Sequence, residues 1–317
     1  MQNRSATQAV SRCSLNLLVF LLVSTFLPML LVLVFKMVTH TETLSNNQTL
    51  LCHYFAMYGV AFPLYLLLSS PMEKSAPEKH SMSVGNFIIC IMIGIALMIV
   101  GNLVGNAINL VLTTLFSDLN AFTLNDYVFN DSPYFFLVLA VICAPIIEEI
   151  LLRKVFIDRV RKFGDGWAIL LSGLLFGLLH GNFTQFFYAA LLGAFLAFVY
   201  IKTGKLQYTI AMHMILNFIG SAVPLMLLRN VDTAVLLSEN ATEAEIIAML
   251  PDLIPLLLVV GIEYLIAFAG IILLCCSFRQ FELEPPAEKT PASSIFGSIP
   301  LWLFIVVSLA TFIIAMI

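Results

Sequence analysis

Runs of about 20 apolar residues are long enough to cross the hydrocarbon core of a bilayer as helices. This chain has nine such runs, at 14–35, 51–70, 86–116, 133–153, 167–181, 185–201, 207–228, 253–276 and 299–317. In lipid every backbone polar group needs a partner within the protein, so runs of this length and character predict a bundle of helices. The composition agrees. Of the 317 residues 61% are hydrophobic and 11% charged, where soluble domains carry about 25% charged residues. The expected fold is all-α, a polytopic transmembrane bundle of about nine helices. The first run follows Arg4 and Arg12 as a signal peptide would, but it is too long for one and lacks a small-residue cleavage site, so it reads as a retained helix.

Charge sets the expected orientation. With the N-terminus in the cytoplasm, 13 of the 15 Lys and Arg residues fall inside and only Lys36 and Arg229 outside. Asp118, Asp126, Asp131, Asp232, Glu239, Glu243 and Glu245 then lie outside. The chain is expected in a cell membrane, divided into N-terminal helices (1–132), a polar core (133–228) and a C-terminal part (229–317). That last part comprises an acidic external loop at 230–252 with room for a short amphipathic helix, a membrane helix, a flexible cytosolic linker at 277–298 and a last helix. The third run, carrying Gly101 and Gly105, is long enough to be tilted or broken, with Asn102, Asn106 and Asn109 expected to hydrogen-bond between helices. The six cysteines show no C-x-x-C spacing, which suggests neither disulfides nor a zinc ribbon. A net charge of −4 without a basic aromatic tract argues against a nucleic-acid partner.

Against this apolar background, Glu148 and Glu149 stand side by side at membrane depth. Intramembrane carboxylates are costly and so carry a functional hypothesis. Neighbouring helix positions differ by about 100°, so the two acids point apart. Glu149 and Arg153, at i,i+4, share a face and are expected to pair. Glu148 is left as the freer carboxylate, available to take a proton from water. Downstream, His180 ends an apolar helix, and His213 and Asn217 share a face at i,i+4. Both residue types can donate to a developing oxyanion. Each feature also has a plain reading: acids salt-bridged at a helix end, a packing histidine, a polar contact between helices. Glu263, in the eighth run, is open between bundle hydrogen bonding and substrate positioning.

The ordered set Glu148-Glu149-x-x-x-Arg153, Phe176-x-x-x-His180 and His213-x-x-x-Asn217, with Gly193 and Lys202-Thr203-Gly204-Lys205 between, resembles the CAAX protease and bacteriocin-processing (Abi) family over about residues 134–222. The resemblance implies an intramembrane endopeptidase acting on peptide or lipidated-protein substrates in the bilayer. By motif, Glu148 would activate water with His180, His213 and Asn217 would stabilise the oxyanion, and Glu149 and Arg153 would support Glu148. Lys154 stands where the family usually has glycine and is expected to face cytosol or lipid headgroups. A divalent metal such as zinc is compatible with two histidines and a glutamate, but the H-E-x-x-H arrangement is absent and the chemistry does not require it. A self-immunity or scaffold protein that does not depend on proteolysis, and a proton-coupled transporter, are the competing classes.

Overall fold

A computed structural model of the chain describes residues 2–116, 137–229, 242–277 and 289–316, together with Val231, Val235 and Leu283. Every regular element among them is helical. The first helix, α1, spans Gln2–Thr39. α2 runs over Asn46–Ser69, α3 over Val84–Leu115 and α4 over 139–160. They are followed by α5 (Asp165–Leu179), α6 (Phe183–Thr203), α7 (Leu206–Leu228), α8 (Glu243–Cys276), a short α9 (Ala292–Phe296) and α10 (Ile299–Ile314).

Among the described residues six helices are long and apolar enough to cross a membrane, with α5 and α10 as shorter apolar ones. α4 corresponds to the remaining expected run, the fourth at 133–153, and carries the charged residues. The protein is therefore an all-α polytopic membrane bundle. Its outer surface agrees: the 34 residues of α8 bury only Met249, Ala267 and Gly270, as expected of a helix whose remaining faces meet lipid.

Three helices change their winding at a proline. π turns at Phe55–Ala61, Leu139–Cys143 and Phe218–Ala222 run directly into Phe62-Pro63, Ala144-Pro145 and Val223-Pro224. Proline lacks an N–H and its ring crowds the carbonyl four residues back. Widening the ladder by one residue relieves that clash, and π turns of this kind cluster at functional sites. A fourth, Ile150–Ile157, follows the glutamate pair directly.

Small residues set the packing around α6. A Cβ on Gly173 would come 2.7 Å from both Ala190 O and Ala194 Cβ, and one on Gly177 2.7 Å from Phe186 O. On the opposite side, Cβ atoms at Gly101 and Gly105 of α3 would collide with the α6 backbone at Tyr188 and Thr184. α6 is thus clasped between α3 and α5 by close small-residue contacts of the kind that replace hydrophobic attraction in lipid.

Several expectations need correction. α3 is one unbroken helix of 32 residues. Asn106 is exposed, Asn102 and Asn109 are half-buried, and no side-chain hydrogen bond joins any of them to another helix among the described residues. Within the expected acidic loop, helix already begins at Glu243, the start of α8, with Thr242 and Glu245 forming a capping box; residues 230, 232–234 and 236–241 lie outside the described residues. The expected linker is packed at its far end. Trp167 Nε1 donates to Thr290 O at 3.1 Å, Thr7 Oγ1 to Ser294 O at 2.7 Å and Ser11 Oγ to Ser298 Oγ at 3.0 Å. The rest of it, 278–282 and 284–288, lies outside the described residues, as do Asp118, Asp126 and Asp131.

Candidate active site

Glu149 is the buried anchor of the polar cluster. Its Oε2 lies 3.1 Å from Arg153 Nε with both side chains fully buried, an ion pair whose hydrogen-bond alignment is poor. Arg153 is held from two further sides. Its Nη2 donates to Gly193 O at 3.3 Å, and its guanidinium lies 4.9 Å from the Phe176 ring centroid. Gly193 is required there, since a Cβ would come 2.7 Å from Phe176 Cδ1.

The other Glu149 oxygen reaches His213 Nδ1 at 3.0 Å. A carboxylate paired with arginine accepts, so Nδ1–H is the donor and Nε2 is the free position of the ring. That Nε2 faces Glu148 Oε2 at 3.7 Å. His180 is oriented by the same logic: its Nδ1 lies 2.8 Å from Phe176 O, a carbonyl that can only accept, so its Nε2 is also the free nitrogen. Phe176 fixes both imidazoles edge to face, with centroid distances of 4.8 Å to His180 and 5.5 Å to His213.

Glu148 remains 30% exposed, in contrast to Glu149 at 0%. It lines a cavity of about 140 Å³ together with Phe20, Tyr58, Phe176, Leu179, His180 and Gln185, room enough for several waters. The structure thus brings Glu148 and His180 to one cavity wall, with Glu149, Arg153 and His213 behind them.

Asn217 stands apart from this wall. Its Nδ2 donates to Ala140 O at 2.9 Å, a carbonyl inside the π turn that precedes Pro145, and so ties α7 to α4. Lys154 is exposed, and only its ammonium tip turns inward. It reaches inward to the buried Asp158 at 2.9 Å and to Tyr200 OH at 3.4 Å, and Tyr200 OH donates to Asp158 Oδ1 at 2.8 Å. Its side chain stays half exposed because only the ammonium tip is needed there. Glu263 is half-buried, with Oε1 buried and unpartnered among the described residues.

Sequence reasoning missed Phe176 as the common support of three site residues and Tyr58 as a wall of the cavity. The Phe-x-x-x-His spacing carried a signal for the first. Nothing local marks the second. Among the described residues no group of three or more His, Cys, Asp or Glu side chains is arranged to hold a metal ion.

Residues 130–219 match the family described as type II CAAX prenyl endopeptidase, Rce1-like. The matched segment contains Glu148, Glu149, Arg153, His180, His213 and Asn217 and covers the polar core of the bundle. The match supports, at the level of the family, a CAAX-type intramembrane endopeptidase. The chain matches no curated protein and no solved structure.

Proposed function

We propose that this chain, whose residues 130–219 follow the Rce1-like CAAX endopeptidase pattern, is an intramembrane endopeptidase that hydrolyses peptide bonds of membrane-associated substrates with water activated by Glu148. The observation that carries the reading is the unequal environment of the glutamate pair. Glu149 is buried against Arg153 and His213, while Glu148 borders a cavity beside His180 and remains partly open.

In this reading Glu148 takes a proton from a water held between it and the free Nε2 of His180. The water oxygen attacks the scissile carbonyl carbon. General-base help of this kind is worth about 10²–10⁴-fold. Glu149 acts as a positioning residue. It holds the Nδ1–H of His213, so that Nε2 faces Glu148 and can share or return its proton. Asn217 spends one amide N–H on Ala140 O, and its second N–H serves the oxyanion only where the substrate reaches past the wall of Glu148 and His180. His213 serves as an oxyanion donor only as imidazolium, because its neutral Nδ1–H is already committed.

The test compares membrane proteomes of cells carrying the wild type and Glu148→Ala. Peptide termini present only with the wild type are the expected result. Identical termini in both, with the variant made and inserted normally, would overturn the reading in favour of a role that does not depend on proteolysis.

A further inference from the structure

The motif residues leave one chemical need thinly covered at the cavity. The oxygen of a substrate carbonyl becomes an anion as water adds, and donors already aimed at that position are the largest single contribution in many hydrolases. His180 Nε2 carries no proton in the neutral ring. His213 and Asn217 are not on the wall formed by Glu148, His180 and their neighbours.

Tyr58 is on that wall. It comes from α2, outside the segment that matches the family. The π turn Phe55–Ala61 ahead of Pro63 carries it, the same local device that precedes Pro145 in α4. The half-buried side chain is braced by Tyr54, ring centroids 5.3 Å apart. Its hydroxyl makes no hydrogen bond among the described residues, and it shares the cavity lining with Glu148 and His180. A phenol on a wall shared with a carboxylate and an imidazole, with no hydrogen-bond partner of its own among the described residues, is a donor awaiting an acceptor.

We propose that Tyr58 is a catalytic residue of this site, donating its O–H to the carbonyl oxygen of the scissile bond as that oxygen becomes anionic. The inference rests on the endopeptidase reading above. Water loses one proton to Glu148, its oxygen bonds to the carbonyl carbon, and the carbonyl π pair moves onto the oxygen that Tyr58 holds. On collapse the pair returns, the C–N bond breaks, and the amine leaves with the proton carried by Glu148. The phenol keeps its own proton throughout.

The probe is an internally quenched peptide spanning a terminus mapped in the proteome comparison, cleaved by the full chain in proteoliposomes. Tyr58→Phe removes only the hydroxyl. It is expected to lower kcat about 10²-fold or more, in line with loss of one oxyanion donor, with KM within about twofold, the signature of an interaction made only in the transition state. Tyr264→Phe, at an exposed position on α8 away from the cavity lining, is expected to leave both constants unchanged. A kcat for Tyr58→Phe within threefold of wild type, or a loss confined to KM, overturns the role of Tyr58 while a dead Glu148→Gln leaves the endopeptidase reading intact. A Glu148→Gln as active as wild type, or the absence of any mapped terminus, overturns both. A lowered thermal midpoint for Tyr58→Phe with matching losses at Tyr54→Phe would reveal packing alone and also overturn it.

Discussion

Arg153 and Lys154 are neighbours in sequence, and their roles diverge completely. Arg153 is wholly buried against Glu149, and losing one partner of such a pair strands the other charge, at about 3–5 kcal/mol. Lys154 shares Asp158 with the Tyr200 hydroxyl, so its loss leaves the carboxylate one donor. Arg153→Leu is therefore expected to lower the unfolding free energy in detergent by about 3–5 kcal/mol, and Lys154→Leu by about 1–3 kcal/mol. Denaturant titration of the purified variants measures both, and equal losses would contradict this account. The i,i+4 pairing of Glu149 with Arg153 was legible because helix geometry alone dictates it. Glu148 as the exposed partner followed from the same 100° step. The inward reach of Lys154 was hidden, because Tyr200 comes from α6, 46 residues away.

At the scale of elements, the site depends on winding as much as on residue identity. A π turn rotates everything downstream by about one residue, about 100° in an α-helix. Pro145→Ala lets the ladder across Leu139–Cys143 close as a regular helix, releasing Ala140 O from Asn217. The expected outcome is a drop in cleavage of at least tenfold with retained insertion and folding, read on the mapped peptide. Unchanged rates would mean the π turn is incidental. Helix packing offers a separate test. Gly101→Ala places a Cβ against the backbone of Tyr188, whereas Gly85→Ala enters open space. The first is expected to cost about 1–3 kcal/mol. The second is expected to be neutral or stabilising by up to about 1 kcal/mol. Thermal melts of both variants decide it. The Gly101-x-x-x-Gly105 spacing announced a close approach in the sequence. The partner, α6, and the matching Gly173-x-x-x-Gly177 on its other side did not stand out, because small residues state that something packs closely and not what.

The whole molecule wraps its ends around the core. α10 lies against α1 and α5, and Phe312 meets Phe183 and Phe186 at 5.0 and 5.8 Å, just beyond the His180-Gly181-Asn182 corner. Phe312→Ala empties a fully buried site and is expected to cost about 3–5 kcal/mol and to slow cleavage as that corner loosens. A variant that melts lower yet cleaves at the wild-type rate would uncouple α10 from the site. The charge asymmetry is a statement about the molecule in its membrane. Cysteines placed singly at Lys202 and Arg229, both exposed, are expected to react with an impermeant maleimide from opposite faces of intact cells, Arg229→Cys from outside. Labelling of both from one face would overturn the orientation.

By itself the sequence determined the helical class, because lipid offers an exposed backbone no hydrogen-bond partner, and it determined which acid pairs with its own helix, because that contact spans four residues. Which imidazole nitrogen is free, what Asn217 and Lys154 hold, and that a tyrosine from α2 borders the cavity were decided only when distant helices packed. Those contacts join residues many turns apart, and no local pattern encodes a neighbour supplied by another helix.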